Sequence, residues 1–160
     1  MMIQPTIVTK KAFQTIGISI ITNNEIEMSS NGKIPHQWNQ YFQEQITNQI
    51  PNKATQTETI ALYSNYESDE TGNYTYTIGV PVSTISNTPK NMTALTIPAA
   101  TYAVFTTRKG PLSEIIAETW QDIWKWSKEN NRAFTTDFEL YDERTFNPND
   151  AQVDIYIALV

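Results

Sequence analysis

Hydrophobic residues recur along the chain at two different spacings, which separate helices from strands. Two stretches have the period of an amphipathic helix, at roughly 35–48 and 111–129. Short apolar or alternating runs typical of strands occupy 12–22, 59–66, 73–82, 100–108, 137–141 and 153–160. The predicted order is therefore strand, helix, strand, strand, and then the same again.

The two halves also resemble each other in sequence. YTIGV at 76–80 corresponds to YIALV at 156–160, and Trp38 on the first predicted helix corresponds to Trp120 on the second. These identities are few and involve common strand and helix formers, so they suggest a repeat without proving one.

The repeat predicts the fold class. We expect one domain over residues 1–160, made of pseudo-repeats at about 5–82 and 93–160 with a polar linker at 83–92. The predicted class is α+β, with duplicated βαββ modules, an antiparallel sheet and a pseudo-twofold axis. One face of each strand would pack on the two helices, leaving the other face for water or a ligand.

Each of the last two predicted strands carries one acidic residue among apolar ones. Glu139 lies in FELY and Asp154 lies in VDIYIALV, although carboxylates are among the groups least often buried. Side chains alternate across a strand, so Glu139 shares a face with Tyr141, and Asp154 shares a face with Tyr156. If the two strands pair as a hairpin, we expect these four side chains on one surface.

Tyrosines of the first half extend the same surface. Tyr63 joins it through the repeat, and Tyr74 and Tyr76 join it less securely because they could equally pack on the helices. Two interpretations stay open. The acids and tyrosines could form the solvated face of an ordinary antiparallel sheet. They could instead form a concave aromatic pocket with a carboxylate at its base, which would attract a cation with apolar bulk.

Composition and motifs limit the partners and cofactors that we expect. The chain has 11 basic and 17 acidic residues and a net charge of −6, and its basic residues do not cluster, so we expect no direct contact with nucleic acid. It has no cysteine, one histidine beside a proline, and no phosphate-binding or calcium-loop motif. We therefore expect neither a cofactor nor a metal. No apolar run is long enough to span a membrane and no signal peptide is evident, which predicts a cytoplasmic protein.

Three segments resemble a known family. KGPLSEI…W at 109–120, FELYDE at 138–143 and the closing VDIYIALV resemble the GyrI-like small-molecule-binding domain, the effector-binding domain of AraC-type and MerR-type multidrug-responsive regulators. The resemblance covers almost the whole chain. It implies two SH2-like βαββ modules around a central groove, in which Glu139 contacts cationic, lipophilic compounds among aromatic residues. The chain departs from the family at two positions. It has Asp154 where the family often has Glu, and Ala158 where the family often has Pro.

The first functional hypothesis is a stand-alone protein that binds cationic lipophilic or aromatic effectors or drugs. One alternative is a hydrolase of strained, cyclopropane-bearing electrophiles, with Glu139 as general base and Tyr141 or Tyr63 assisting. Another is a protein inhibitor that acts through its surface. Beyond the small molecule, the partners we consider are a second copy of the chain and a separate regulator protein. The expected ligand-binding residues are Glu139, Tyr141, Tyr63, Asp154, Tyr156, Trp38 and Trp120.

Overall fold

Strands rich in β-branched and aromatic residues form a sheet in the computed structural model, which describes residues 4–160. The strands there are β1 Thr6–Lys10, β2 Phe13–Thr22, β3 Thr59–Ser64, β4 Tyr74–Val82, β5 Thr93–Ile97, β6 Ala100–Thr106, β7 Asp137–Tyr141 and β8 Asp154–Ala158. The helices are α1 Asn24–Glu27, α2 Ile34–Gln43, α3 Ile46–Gln49 and α4 Leu112–Ser127, and a 3-10 turn spans Glu143–Thr145.

The strands build one antiparallel sheet in the order β1-β6-β8-β7-β3-β4-β2-β5. β3 and β7 pair at its centre, with β4 and β2 of the first predicted repeat beyond β3, and β8 and β6 of the second beyond β7. The prediction of an α+β fold with an antiparallel sheet is confirmed. All six predicted strands are present, with ends that differ by a few residues.

The helix prediction is confirmed with one change. Within residues 4–160, α2 and α4 are the only helices longer than four residues. The first predicted helix does not continue to residue 48, because Gln45 adopts a left-handed conformation with φ of 51°. This break turns Ile46, which is fully buried, into the core beside Tyr41 of α2.

Two short strands were not predicted, and both lie at the edges of the sheet. β1 pairs with β6, and β5, which follows the polar linker directly, pairs with β2. β1 belongs to the first repeat in sequence but extends the half of the sheet that the second repeat forms. β5 belongs to the second repeat but extends the half that the first repeat forms. Their half-exposed residues lack the continuous apolar pattern that marks the central strands.

The connections show that the sheet is strongly curled. β1 is first and β2 seventh in the strand order, yet only residues 11 and 12 join them. Because two linking residues span at most about 10 Å, the two edges must approach each other behind the sheet, on the face away from the helices. Phe13 accordingly packs edge-on against Phe138, with 5.4 Å between ring centroids. The curl encloses one core cluster behind the sheet, and the helices cover the other face.

Candidate functional site

Strand register places Glu139 on the helix-bearing face of the sheet. Glu139 lies opposite Ala61 of β3 and Ile155 of β8, and directly opposed residues project to the same side. Ile155 packs beneath α4 and Ala61 belongs to the cluster beneath α2. The carboxylate therefore lies on the central strands, in the gap between the two long helices. The expectation that Glu139 would lie on the face away from the helices is wrong.

The expectation that Asp154 and Tyr156 share a surface with Glu139 is also wrong. Alternation within each strand was predicted correctly, but Tyr156 pairs with Phe138 and Asp154 pairs with Leu140. Both therefore project behind the sheet, because a shift of one residue in the pairing register exchanges the two faces.

The two displaced residues make structural contacts behind the sheet. The Tyr156 ring stacks on that of Phe138 with 4.4 Å between centroids. The Asp154 carboxylate lies 3.0 Å from a guanidinium nitrogen of Arg144 and accepts a hydrogen bond from the Thr106 hydroxyl. Neither residue lines the cavity that holds Glu139.

A cavity of about 1140 Å³ opens between α2 and α4. Aromatic and aliphatic side chains form most of its wall, and Glu139 lies at its base. Met28, Phe42 and Phe146 also line it and are 76%, 66% and 70% exposed, which gives the cavity an apolar rim. Five of the seven predicted ligand-binding residues line this cavity: Glu139, Tyr141, Tyr63, Trp38 and Trp120.

Three neutral groups donate hydrogen bonds to the Glu139 carboxylate. The Tyr63 hydroxyl and the Trp120 indole nitrogen each donate to Oε2 at 2.7 Å, and the Tyr141 hydroxyl donates to Oε1 at 2.6 Å. The side chain is only 1% exposed. Within residues 4–160, no lysine, arginine or histidine forms an ion pair with it. The negative charge is thus solvated by dipoles but not neutralised.

Burial controls the protonation of this cluster. It raises the pKa of Glu139, and the three hydrogen bonds oppose that rise because they favour the charged form. Burial, followed by the charge of Glu139, raises the pKa of Tyr63 and of Tyr141 well above the ordinary value of a tyrosine. Both phenols therefore keep their protons and remain donors to the carboxylate.

Aromatic rings surround the carboxylate in a connected box, defined here as Trp38, Tyr63, Tyr76, Trp120 and Tyr141. The Tyr63 ring centroid lies 5.0 Å from that of Trp120 and 5.1 Å from that of Tyr76. The Trp38 ring lies 5.0 Å from that of Tyr141, and its indole nitrogen donates to the Tyr76 hydroxyl at 2.9 Å. The box closes over Glu139 from both helices and both halves of the sheet.

A second buried carboxylate lies two residues away on the same strand. Asp137 is fully buried and lies 3.0 Å from an Arg132 guanidinium nitrogen. It also accepts hydrogen bonds from the Tyr66 hydroxyl at 2.5 Å and from the Ala158 backbone N–H at 2.8 Å. Arg132 and Tyr66 line the same cavity as Glu139.

Sequence reasoning missed this second cluster. Asp137 and Glu139 share a strand face by simple alternation, which could have drawn attention to the pair. Arg132 follows a polar stretch with no periodicity, so its position gave no signal. Tyr74 and Tyr76, named only as less certain members, also line the cavity.

The described part of the chain has neither a candidate metal site nor a membrane-spanning helix. Between residues 4 and 160, no group of three or more histidine, cysteine, aspartate or glutamate side chains is placed to hold a metal ion. No helix in that range is both long and apolar enough to cross a bilayer.

Comparison with known proteins identifies the family of the chain. Residues 6–159 match the family described as Cass2, integron-associated effector binding protein. YobU of Bacillus subtilis (strain 168), whose name describes it as a candidate transcriptional regulator, is 40% identical over 143 residues, which cover 89% of each chain.

Two solved structures share the fold. An integron cassette protein from Vibrio cholerae has a TM-score of 0.77 and 24% identity, and the match covers 98% of this chain and 96% of that one. SAV2435, solved bound to tetraphenylphosphonium, has a TM-score of 0.80 and 17% identity, with 98% and 94% covered. The fold is a small-molecule effector-binding fold of the GyrI-like type, and the chain belongs to the Cass2 family of integron-associated effector-binding proteins.

Proposed function

We propose that this protein is a receptor for lipophilic cations and that Glu139 is the charge partner of the ligand. One observation carries the proposal: a buried carboxylate, not paired with any cation of residues 4–160, lies at the base of a large aromatic cavity. An isolated charge in such a place is costly for the empty protein. A bound cation would offset that cost by direct attraction in a region of low dielectric constant.

The contacts of Glu139 favour one kind of cation. Three donors already occupy the carboxylate. Because a carboxylate has about four acceptor positions, an ammonium group would find at most about one of them free for its own hydrogen bonds. A phosphonium or another cation with dispersed charge and no N–H needs only proximity to the carboxylate and contact with ring faces. The box and the apolar rim offer both.

The similar proteins extend the same proposal. SAV2435, which shares the fold, was solved with tetraphenylphosphonium bound, and this supports a cationic ligand here. YobU and its name support a role in regulation, exercised through a separate regulator protein or a second copy of the chain. We further propose that the symmetric strand order reflects two duplicated SH2-like modules and that the protein acts in the cytoplasm.

The hydrolase and protein-inhibitor hypotheses stay predictions. A general base must reach a water molecule that attacks the substrate. Glu139 is 1% exposed and holds three donors, an arrangement that suits a fixed charge better than a proton carrier. The geometry therefore supports binding over hydrolysis.

A pair of ions with the same shape and opposite charge tests the proposal. Tetraphenylphosphonium and tetraphenylborate bury nearly the same apolar surface, so calorimetric titration of both isolates the effect of charge. We expect the phosphonium to bind at least about tenfold more tightly, which corresponds to about 1.4 kcal/mol. Equal affinity, or preference for the borate, would show that Glu139 does not select the charge of the ligand.

A further inference from the structure

Arg132 has hydrogen-bonding capacity that the protein does not use. The residue is 7% exposed and lines the same cavity as Glu139. Its Nη2 donates to Asp137 at 3.0 Å and to the Tyr66 hydroxyl at 3.3 Å. Its Nε and Nη1 are buried and have no acceptor within residues 4–160. Buried donors are almost always paired, so these two require an explanation.

The surroundings of Arg132 hold the guanidinium in place. Phe134 lies 4.4 Å from the guanidinium carbon and has a φ of 54°, a left-handed conformation that non-glycine residues rarely adopt. The rings of Tyr66 and Trp120 each lie 5.7 Å away. A side chain fixed on three sides, with two free donors, is preorganised for an acceptor that the protein itself does not supply.

We propose that Arg132 forms a second polar subsite, which accepts a neutral hydrogen-bond acceptor of the ligand such as a carbonyl oxygen. A neutral group is favoured because Asp137 already balances the charge of Arg132, and because the charge of Glu139 in the same cavity disfavours an anion. Trp120 connects the two subsites, since it donates to Glu139 and lies beside Arg132. The ligand class is therefore a lipophilic cation that also carries a carbonyl.

This inference rests on the proposed cation binding, and one pair of ligands separates the two. (4-Acetylbenzyl)triphenylphosphonium and (4-ethylbenzyl)triphenylphosphonium have the same charge and nearly the same shape, and they differ in one carbonyl. We expect the acetyl compound to bind the protein about three- to tenfold more tightly, the effect of one added hydrogen bond. Equal binding of both compounds overturns the Arg132 subsite and leaves cation binding standing. Failure of both to bind overturns both proposals.

Substitution of Arg132 tests whether this residue causes the preference for the acetyl compound. Arg132→Lys keeps a positive charge beside Asp137 but offers one nitrogen in place of three, so the preference for the acetyl compound should disappear. Arg108→Lys is the matched control, because Arg108 is exposed and pairs with Glu118 outside the cavity. It should leave the preference intact. A preference that survives Arg132→Lys overturns the assignment.

A measurement on the unaltered protein covers the case in which Arg132→Lys does not fold. The chain has only three arginines, so its arginine Nε–H signals can be resolved in a ¹⁵N spectrum. The acetyl compound should shift the Arg132 signal relative to the ethyl compound and leave those of Arg108 and Arg144 in place. Identical spectra with the two ligands would overturn the proposal.

Discussion

Strand β7 carries two buried carboxylates, Asp137 and Glu139, which differ in how the protein compensates them. They lie two residues apart on the same face, with 0% and 1% of their surfaces exposed. Asp137 has a cation of its own, Arg132, together with a phenol and a backbone N–H. Glu139 has three neutral donors and, among residues 4–160, no ion-paired cation.

The difference separates a structural acid from a binding acid. A buried charge whose partner belongs to the chain contributes to holding elements together, and here it ties the loop before β7 to the end of β8. A buried charge without such a partner lowers the stability of the empty protein, and only a bound ligand can compensate it. Burial alone does not distinguish the two cases, whereas the identity of the donors does.

Breaking the internal pair should have the largest effect. Asp137→Asn preserves the size of the side chain but leaves Arg132 buried without its counter-charge. We expect the free energy of unfolding to fall by about 3–5 kcal/mol, the usual cost of removing one partner of a buried pair. Urea denaturation of the ligand-free protein measures it.

The control for that substitution is Asp150→Asn, an exposed acid on a loop. It should change the free energy of unfolding by less than about 0.5 kcal/mol. If Asp137→Asn were equally mild, Asp137 would not be the structural acid of the pair.

Neutralising Glu139 should give the opposite pattern. Glu139→Gln should weaken tetraphenylphosphonium binding by about 1.5–3 kcal/mol, the scale of a contact with a charged group, which is about ten- to a hundredfold. The free energy of unfolding should stay the same or rise slightly, because the uncompensated charge is gone. Calorimetric titration and urea denaturation measure the two quantities.

Glu70→Gln is the matched control, since Glu70 also lines the cavity but is only partly buried. A partly solvated charge contributes little, so its removal should change the binding free energy by less than about 0.5 kcal/mol. Strong destabilisation by Glu139→Gln with unchanged phosphonium affinity would show that Glu139 is structural after all.

The sequence predicted the acid and most of its companions for a physical reason. Alternation along one strand is local, so Glu139 and Tyr141 could be placed on one face from the residues alone. The resemblance between halves added Tyr63, Trp38 and Trp120, all of which line the cavity. The fold class followed from the order of the six central strands and two helices.

What could not be predicted depends on pairing between distant segments. The register of β7 against β8 is set by the loop and 3-10 turn between them, and it moved Asp154 and Tyr156 to the other face. The pairing of Arg132 with Asp137 depends on the conformation of a loop that contains a left-handed Phe134. Neither the strand register nor the loop conformation produces a periodic pattern in the sequence.

The affinity for tetraphenylphosphonium should depend on pH. Burial raises the pKa of Glu139 above the ordinary 4.5, so the carboxylate should take up a proton at a higher pH than an exposed glutamate. Tetraphenylphosphonium does not titrate. Its affinity should therefore fall as the pH drops through the raised pKa, by at most about tenfold per pH unit. In Glu139→Gln the affinity should stay flat over that range.

Stability of the ligand-free protein should depend on pH in the opposite sense. Because the folded state holds the Glu139 proton more tightly than the unfolded state, the folded protein binds more protons between pH 4.5 and the raised pKa. The free energy of unfolding contributed by this group must then decrease as the pH rises through that window. The difference in stability between the protein and Glu139→Gln, measured against pH, isolates it. A difference that does not vary with pH would contradict the raised pKa.

The smallest effects should come from removing one tyrosine hydroxyl that donates to each acid. Tyr63→Phe and Tyr66→Phe each delete a hydroxyl that donates to a buried carboxylate, to Glu139 and to Asp137 respectively. Each should lower the free energy of unfolding by about 0.5–1.5 kcal/mol, the usual value for one hydrogen bond. On stability alone the two variants should be indistinguishable. Only Tyr63→Phe should change the pH profile of phosphonium binding, because the Tyr63 hydrogen bond lowers the pKa of Glu139 and its loss moves the midpoint to higher pH. A shift of equal size in Tyr66→Phe would mean that the two clusters are not independent and that the division between them does not hold.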